Sequence, residues 1–344
     1  MTRIRVGILG YGVIGKRAAD AVQRQEDMVV VGVAVRPDSP SFVIARHLGY
    51  SVFDACSDST IAVDERTFDG ALPDLLGRID VLLDCTPSGA PAQYQCLYDS
   101  FPSVTVVVQG GEKHSFGGAS FNAFANFGEV SGRKRVRVIS CSSTGSARIV
   151  WTLHRAFGLQ EGFLSLWRRA ADPGKRSKTP INALTPWMGR SHHAPDIGTV
   201  LPGLDLYSMS ADCPTTLGHV VTLQADLKRS ASRTELLSAL ERTPRILVGT
   251  GMQSTADLAE YYQDVGRPRR DRPEVYVWEE GLHVDGNMVV ATFSVHMESI
   301  TIPETIDCVR AALNRESDAW ASIYRTDDAL GIAKEADCYP PFPL

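Results

Sequence analysis

Ile4-Arg5-Val6-Gly7-Ile8-Leu9-Gly10-Tyr11-Gly12-Val13-Ile14-Gly15-Lys16-Arg17 is the stretch that decides the fold. Its first six residues read as a buried strand. Gly10, Gly12 and Gly15 follow at G-x-G-x-x-G spacing, and helical periodicity continues to Val22. Strand, glycine turn, helix is the context in which this spacing marks a dinucleotide site. Gly10 makes the tight turn, Gly12 lets a pyrophosphate approach the backbone, and Gly15 lets helix and strand pack closely. Val13 and Ile14 open the helix, whose unpaired N–H groups suit phosphate. A glycine-rich turn without a ligand is the plain alternative, and the flanking elements favour the fingerprint.

The second strand, Met28 to Val35, ends in Arg36-Pro37-Asp38. An acid at this point holds the ribose 2′-OH of NAD, whereas an Arg suits the 2′-phosphate of NADP. Arg36 therefore favours NADP, and Asp38 keeps NAD open. Strands over Ile79–Cys85 and Val104–Val108 run into Thr86-Pro87-Ser88-Gly89 and Gln109-Gly110-Gly111. Ligands of open parallel sheets lie beyond the carboxyl ends of the strands, so Thr86, Gly110 and Gly111 join the cofactor candidates. From about residue 160 the pattern changes. Strand-like runs at 163–167, 206–211, 220–227, 275–278 and 288–296, with Asp285-Gly286-Asn287 as a hairpin turn, predict an antiparallel sheet. The expected fold is α/β: a Rossmann-type dinucleotide-binding domain plus an α+β catalytic domain with a largely antiparallel sheet. The expected boundaries are 1–140, with 304–344 packing back on it, and 141–303.

Composition narrows the function classes. The 344 residues are 44% hydrophobic and 22% charged, ordinary for a globular enzyme of two domains. The net charge of −5 argues against a nucleic-acid or membrane-surface partner. No apolar run reaches about 18 residues, and Met1-Thr2-Arg3-Ile4 leads into a strand with no apolar leader segment, so a cytoplasmic protein is expected. Seven scattered cysteines, an odd number without metal-ligand spacing, predict neither a disulfide framework nor a metal site.

The chemistry is sought at Val136–Ile139, a strand that delivers Ser140-Cys141-Ser142-Ser143-Thr144-Gly145 and then a helix. By itself Cys141 reads as one more small buried residue. At a strand end and a helix start it gains the field that stabilises a thiolate and N–H groups that can hold an oxyanion. His219, after Pro214-Thr215-Thr216-Leu217-Gly218, reads alone as a structural histidine. In the company of Cys141 it becomes the base of a thiol nucleophile. Arg168-Arg169 suits phosphate or interface acids. An irregular stretch over about 170–203 carries His192-His193, where anion binding is favoured over a metal because adjacent histidines lack i,i+4 spacing.

These words, in this order, resemble the archaeal-type (type II) glyceraldehyde-3-phosphate dehydrogenases. The resemblance is carried by Gly10 to Arg17, Gln109 to His114, Ser140-Cys141 with Thr144-Gly145, Arg168-Arg169 with Ala171-Asp172-Pro173, Pro180-Ile181-Asn182-Ala183, Ser191-His192-His193 with Pro195-Asp196, Pro214-Thr215-Thr216 with His219, Thr243-Pro244-Arg245, and His296 with Glu298-Ser299. It implies that Cys141 is the nucleophile, forming a thiohemiacetal and then a thioester that inorganic phosphate cleaves to an acyl phosphate. It implies that His219 is the base and later the acid. It puts Val13, Ile14, Gly110, Gly111, Arg169 and Met297 at the NADP or NAD cofactor. Ser140, Ser142, Thr144, Arg168, Arg169, His192 and His193 fall around substrate and phosphate. It also implies a homotetramer. The chain departs from the family pattern at Ser142, Gly218 and Met297, where Asn, Met and Gln are usual, at the end of the second strand, and at Thr179. Two other readings follow: a biosynthetic paralogue that reduces a different acyl phosphate or phosphonate-like substrate, and a non-catalytic cofactor-binding homologue.

Overall fold

The computed structural model describes residues 2–56, 67–109, 111–171 and 179–332. Gly110, Asp172, Pro173 and the chain beyond 332 lie outside the described residues. The chain divides into two compact units. One comprises Met1–Ser140 and Ile302–Leu330, and the other holds Cys141–Thr301.

The first unit is built on β1 (Ile4–Leu9), β2 (Met28–Val35), β3 (Val52–Asp54), β4 (Val81–Asp84), β5 (Thr105–Val108), β6 (Ser120–Phe121) and β7 (Arg135–Val138). Their order across the sheet is β3-β2-β1-β4-β5-β7-β6. Every pairing is parallel. Parallel strands are covered on both faces and read as continuous apolar runs. Ile4, Val6, Ile8 and Leu9 of β1 and Val81, Leu82 and Leu83 of β4 are accordingly fully buried. Helix Ile302–Ala312 belongs to this unit. Its buried Arg310 donates to Asp27 and Gln25, and Asp307 accepts from Ser322 and Thr326 of helix Ala319–Leu330.

The second unit is built on β8 (Leu159–Arg169), β9 (Thr185–Pro186), β10 (Asp205–Cys213), β11 (His219–Leu227), β12 (Ile246–Gly249), β13 (Val275–Asp285) and β14 (Met288–Val295). The order is β12-β13-β14-β11-β8-β10-β9, mostly antiparallel, with β12–β13 and β8–β10 parallel. The fold class is therefore a Rossmann-like parallel sheet with helices plus a mixed, largely antiparallel second sheet. Helix Cys141–Phe157 packs on one face of that second sheet. Its fully buried Arg148 donates to the carbonyls of Arg245, Pro273 and Ile300 at 3.3, 2.6 and 2.8 Å. Phe163 and Trp167 of β8 and Tyr207 and Met209 of β10 are exposed and alternate with buried neighbours along their strands.

Some expectations need correction. The stretch 170–203 is not irregular throughout: β9 and a short helix, His193–Gly198, lie within its described part. The helix after β7 begins at Cys141 itself, not after it. Strands β3, β6, β9 and β12, of two to four residues each, are too short for periodicity to reveal.

The fingerprint turn is a steric necessity. Gly10 has φ +85°, and a methyl on Gly15 would stand 2.0 Å from the Gly10 carbonyl oxygen. Gly15→Ala is expected to lower stability by roughly 1–3 kcal/mol, the range for forced overpacking. The reading is an earlier denaturation midpoint at unchanged slope, and a midpoint that stays put would contradict the close approach.

Candidate active site

In the first unit the candidates gather beyond the carboxyl ends of the parallel strands. Val13 and Ile14 begin helix Val13–Gln23, whose N-cap, Gly12, supplies no side chain to the free N–H groups. A methyl on Gly12 would meet nothing within 4 Å, whereas Gly10 and Gly15 are closed in by backbone. Two glycines are thus needed by the fold, and the third leaves open space beside an uncapped helix start. That combination fits a pyrophosphate. Arg36 and Asp38, past the end of β2, form an exposed ion pair at 3.4 Å. Thr86, past β4, donates through Oγ1 to Asp84 at 2.6 Å, and Tyr98 donates to the other oxygen at 2.7 Å. Burial pushes the Asp84 carboxyl up, against the pull of these hydroxyls. Gly111 has φ +75°, and beside it Glu112 accepts from the Gly89 N–H at 2.6 Å. Ser140 closes this unit.

In the second unit the nucleophile candidate and its histidine meet. Cys141 starts helix Cys141–Phe157, and its Sγ lies 3.7 Å from His219 Nε2. The sheet register explains the meeting. Val220 pairs antiparallel with Trp167, so His219 at the head of β11 falls beside the end of β8. Gly218 holds φ +106°, a left-handed conformation that suits glycine, and directs the chain into the strand. The Arg169 backbone N–H donates to His219 Nδ1 at 2.9 Å. This bond assigns the tautomer: with Nδ1 accepting, the neutral ring carries its proton on Nε2, facing sulfur. Burial, reinforced by Arg169, Arg168 and His193, holds the His219 pKa well below the usual histidine value, so the ring is neutral. Burial pushes the Cys141 thiol up, while the Ser142 N–H, Arg168, Arg169 and the Ser142 hydroxyl pull it back. The Ser142 Oγ is itself buried beside the sulfur, placed to donate to an anion there. Thr144 is fully buried one turn along.

The paired arginines separate by strand alternation. Arg168 is part-exposed and only loosely paired, 3.7 Å from Asp212. Arg169 is buried, with Nη1 on Glu298 Oε1 at 2.5 Å and on the Thr216 carbonyl at 3.2 Å, and Nε on Met297 Sδ at 3.0 Å. Met297 and Arg169, both expected at the cofactor, are thus in mutual contact. The rings of His192 and His193 stack at 4.0 Å. His193 Nδ1 bonds Ser191 Oγ at 2.6 Å, and burial beside His192 and Arg168 lowers its pKa to about 3. His193 is therefore a neutral hydrogen-bonding group, while Arg168 supplies the charge. Among the described residues no group of three or more His, Cys, Asp or Glu is placed to hold a metal, and no helix is long and apolar enough to cross a membrane.

Sequence reasoning quoted Glu298 only as part of the resemblance and gave it no role, and it missed the backbone N–H of Arg169. The first is a lone acid 129 positions from its partner, and the second belongs to no side chain.

The chain resembles known proteins over nearly its whole length. The family described as "Glyceraldehyde 3-phosphate dehydrogenase, C-terminal domain" matches residues 140–266. Glyceraldehyde-3-phosphate dehydrogenase 2 of Methanosarcina acetivorans is 36% identical over 336 residues, 96% of this chain and 100% of that protein. Glyceraldehyde-3-phosphate dehydrogenase of Methanococcoides burtonii is 37% identical over 96% of this chain and 100% of its own length. The Methanobacterium bryantii protein of the same name is 39% identical over 95% and 99%. A match of this depth across both units is more than a shared fold, and the chain belongs to the glyceraldehyde-3-phosphate dehydrogenase family.

Proposed function

We propose that this protein is a phosphorylating NAD(P)-dependent aldehyde dehydrogenase whose substrate is glyceraldehyde 3-phosphate. The observation that carries the proposal is Cys141 Sγ at the start of a helix, 3.7 Å from a buried His219, in a chain of this family. In this reading residues 1–140 with the helices after 302 form the cofactor domain, and 141–301 the catalytic domain. The protein acts in the cytoplasm as a homotetramer. The exposed apolar face formed by Phe163, Trp167, Tyr207 and Met209 supports self-association.

Cys141 gives its proton to water, the thiolate attacks the aldehyde carbon, and the electron pair of the carbonyl moves onto oxygen. His219 Nε2–H, with the Ser142 N–H and hydroxyl, stabilises that oxyanion. A nicotinamide dinucleotide, when bound, supplies the acceptor for the hydride that leaves the carbon. Collapse of the oxyanion leaves a thioester on Cys141. Phosphate then attacks the thioester carbon, the same donors hold the second oxyanion, and the thiolate departs as the acyl phosphate forms. Because Nδ1 is occupied, His219 serves here as a fixed donor, a narrower role than the base that the family resemblance implies. Arg168, His192 and His193 hold the phosphates, with Ser140 and Thr144 shaping the floor. Gly10, Gly12, Val13, Ile14, Gly15, Thr86, Gly110 and Gly111 hold the dinucleotide, with Arg36 at a 2′-phosphate, so NADP is preferred and NAD accepted. Arg169 and Met297, bonded to each other, support His219 from behind.

Purified protein with this aldehyde, phosphate and NADP should produce reduced cofactor. Silence with both cofactors would remove the proposal. The departures at Ser142, Gly218 and Met297 favour one second reading, a paralogue that reduces another acyl phosphate. A panel of phosphorylated aldehydes decides between the two. Cys141→Ser should abolish turnover and keep cofactor binding, and His219→Asn, which removes one oxyanion donor, should slow turnover by about 10²–10³-fold. Gly12→Ala should bind cofactor more weakly at unchanged stability, and Arg36→Asp should weaken NADP relative to NAD by roughly tenfold, about the worth of one charged hydrogen bond.

The pH dependence follows from the two pKa directions. A raised thiol pKa means little thiolate at neutral pH. Labelling of Cys141 in the free protein should therefore keep rising past the ordinary cysteine value of about 8.5. No inflection is expected near the ordinary histidine value of about 6.5, because His219 is already neutral there. An early plateau, or a step at that point, would contradict the arrangement.

A further inference from the structure

We infer that Glu298 is a positioning residue for Cys141: it neutralises and clamps Arg169, and so sets the pH at which the sulfur becomes a nucleophile. The inference rests on the proposed role of Cys141 and goes beyond it, because Glu298 touches neither the sulfur nor His219 in any bond described.

The geometry is a short relay within one unit. Cys141 Sγ faces His219 Nε2, and His219 Nδ1 accepts from the Arg169 backbone N–H at 2.9 Å. The same residue's guanidinium turns inward, with Nη1 on Glu298 Oε1 at 2.5 Å. The Arg169 side chain is 0% exposed and that of Glu298 is 4% exposed. Met297 Sδ and the Thr216 carbonyl take further guanidinium hydrogens. Arg169 is therefore anchored from both sides, backbone on the imidazole and side chain on the loop after β14. A buried guanidinium with its carboxylate is electrically nearly silent. Without that carboxylate it is a full positive charge close to a thiol that has little solvent to screen it. Arg169 already favours the thiolate and disfavours the imidazolium, so unmasking its charge must push both further the same way. His296 stands on the far side, with Nε2 3.6 Å from Glu298 Oε2 and Nδ1 on Ser299 Oγ. Arg168 and His193 are the other groups that act on His219.

The test is the rate of iodoacetamide labelling of Cys141, followed on its own peptide by mass spectrometry across pH. Glu298→Gln keeps the shape and an acceptor for Arg169 but removes the charge, and should shift the labelling midpoint down by about one unit, the low end for one nearby charge. The double variant Arg169→Met/Glu298→Gln keeps the backbone bond to His219 and has neither charge, so its midpoint should return close to that of the wild type. An unchanged or raised midpoint in folded Glu298→Gln, or a double variant shifted as far as the single one, would overturn the inference. A merely structural pair would cost thermal stability without moving the midpoint. Where Glu298→Gln yields no folded protein, Glu298→Asp decides. Its carboxylate is withdrawn by one methylene, so a smaller downward shift is expected, and no shift overturns the inference. Labelling needs neither aldehyde nor cofactor. An inactive wild type would thus overturn the proposed activity while the midpoints still judge Glu298.

Discussion

A single backbone hydrogen bond, from the Arg169 N–H to His219 Nδ1, sets which nitrogen of the imidazole faces Cys141 in the second unit. An imidazole has two nitrogens and one mobile proton, and whichever nitrogen accepts a bond is denied that proton. A backbone donor is the least adjustable partner available, because it cannot rotate away or lose its hydrogen. Nε2 is thereby left as the donor toward sulfur, and burial keeps the ring neutral. In the proposed reaction the consequence is a donor for the oxyanion that forms beside Cys141, with no proton leaving the histidine. Preorganised donors of this kind reduce the reorganisation that water would need.

The same bond explains why two adjacent arginines do different work. A strand turns successive side chains to opposite faces. With Arg169 at the end of β8 turned inward, Arg168 must turn toward solvent. One guanidinium is consumed by Glu298, Thr216 and Met297, and the other keeps enough exposure to meet an anion. A pair that looks redundant in the sequence divides into one buried and one part-exposed guanidinium.

In the first unit the governing constraint is steric. The helix after β1 starts so close to the strand that the third fingerprint glycine has no room for a methyl group, and the first sits in a left-handed turn. The middle glycine has space around it. Close packing accounts for two of the three, and the openness at Gly12 is what remains for a ligand. This is why the fingerprint was legible: its residues are local in sequence, and each glycine answers to neighbours within a few positions or to the adjacent strand. The long apolar strands and amphipathic helices were legible for the same reason. Strands of two to four residues were not, since so few positions carry no period. The helix His193–Gly198 was hidden by its histidine, proline and glycine content.

The sequence by itself determined the α/β class, the change of pattern near residue 160, the glycine turn, and the identity of the one cysteine and one histidine worth pairing. It did so because periodicity, turn chemistry and residue type are properties of short stretches. Only the tertiary structure decided which nitrogen of His219 faces the sulfur, which arginine turns inward, and that Glu298 is the counter-charge. Those facts depend on strand register and on loops brought together from about residues 141, 169, 219 and 298. Register is fixed by the packing of whole faces against one another, and no local stretch contains it.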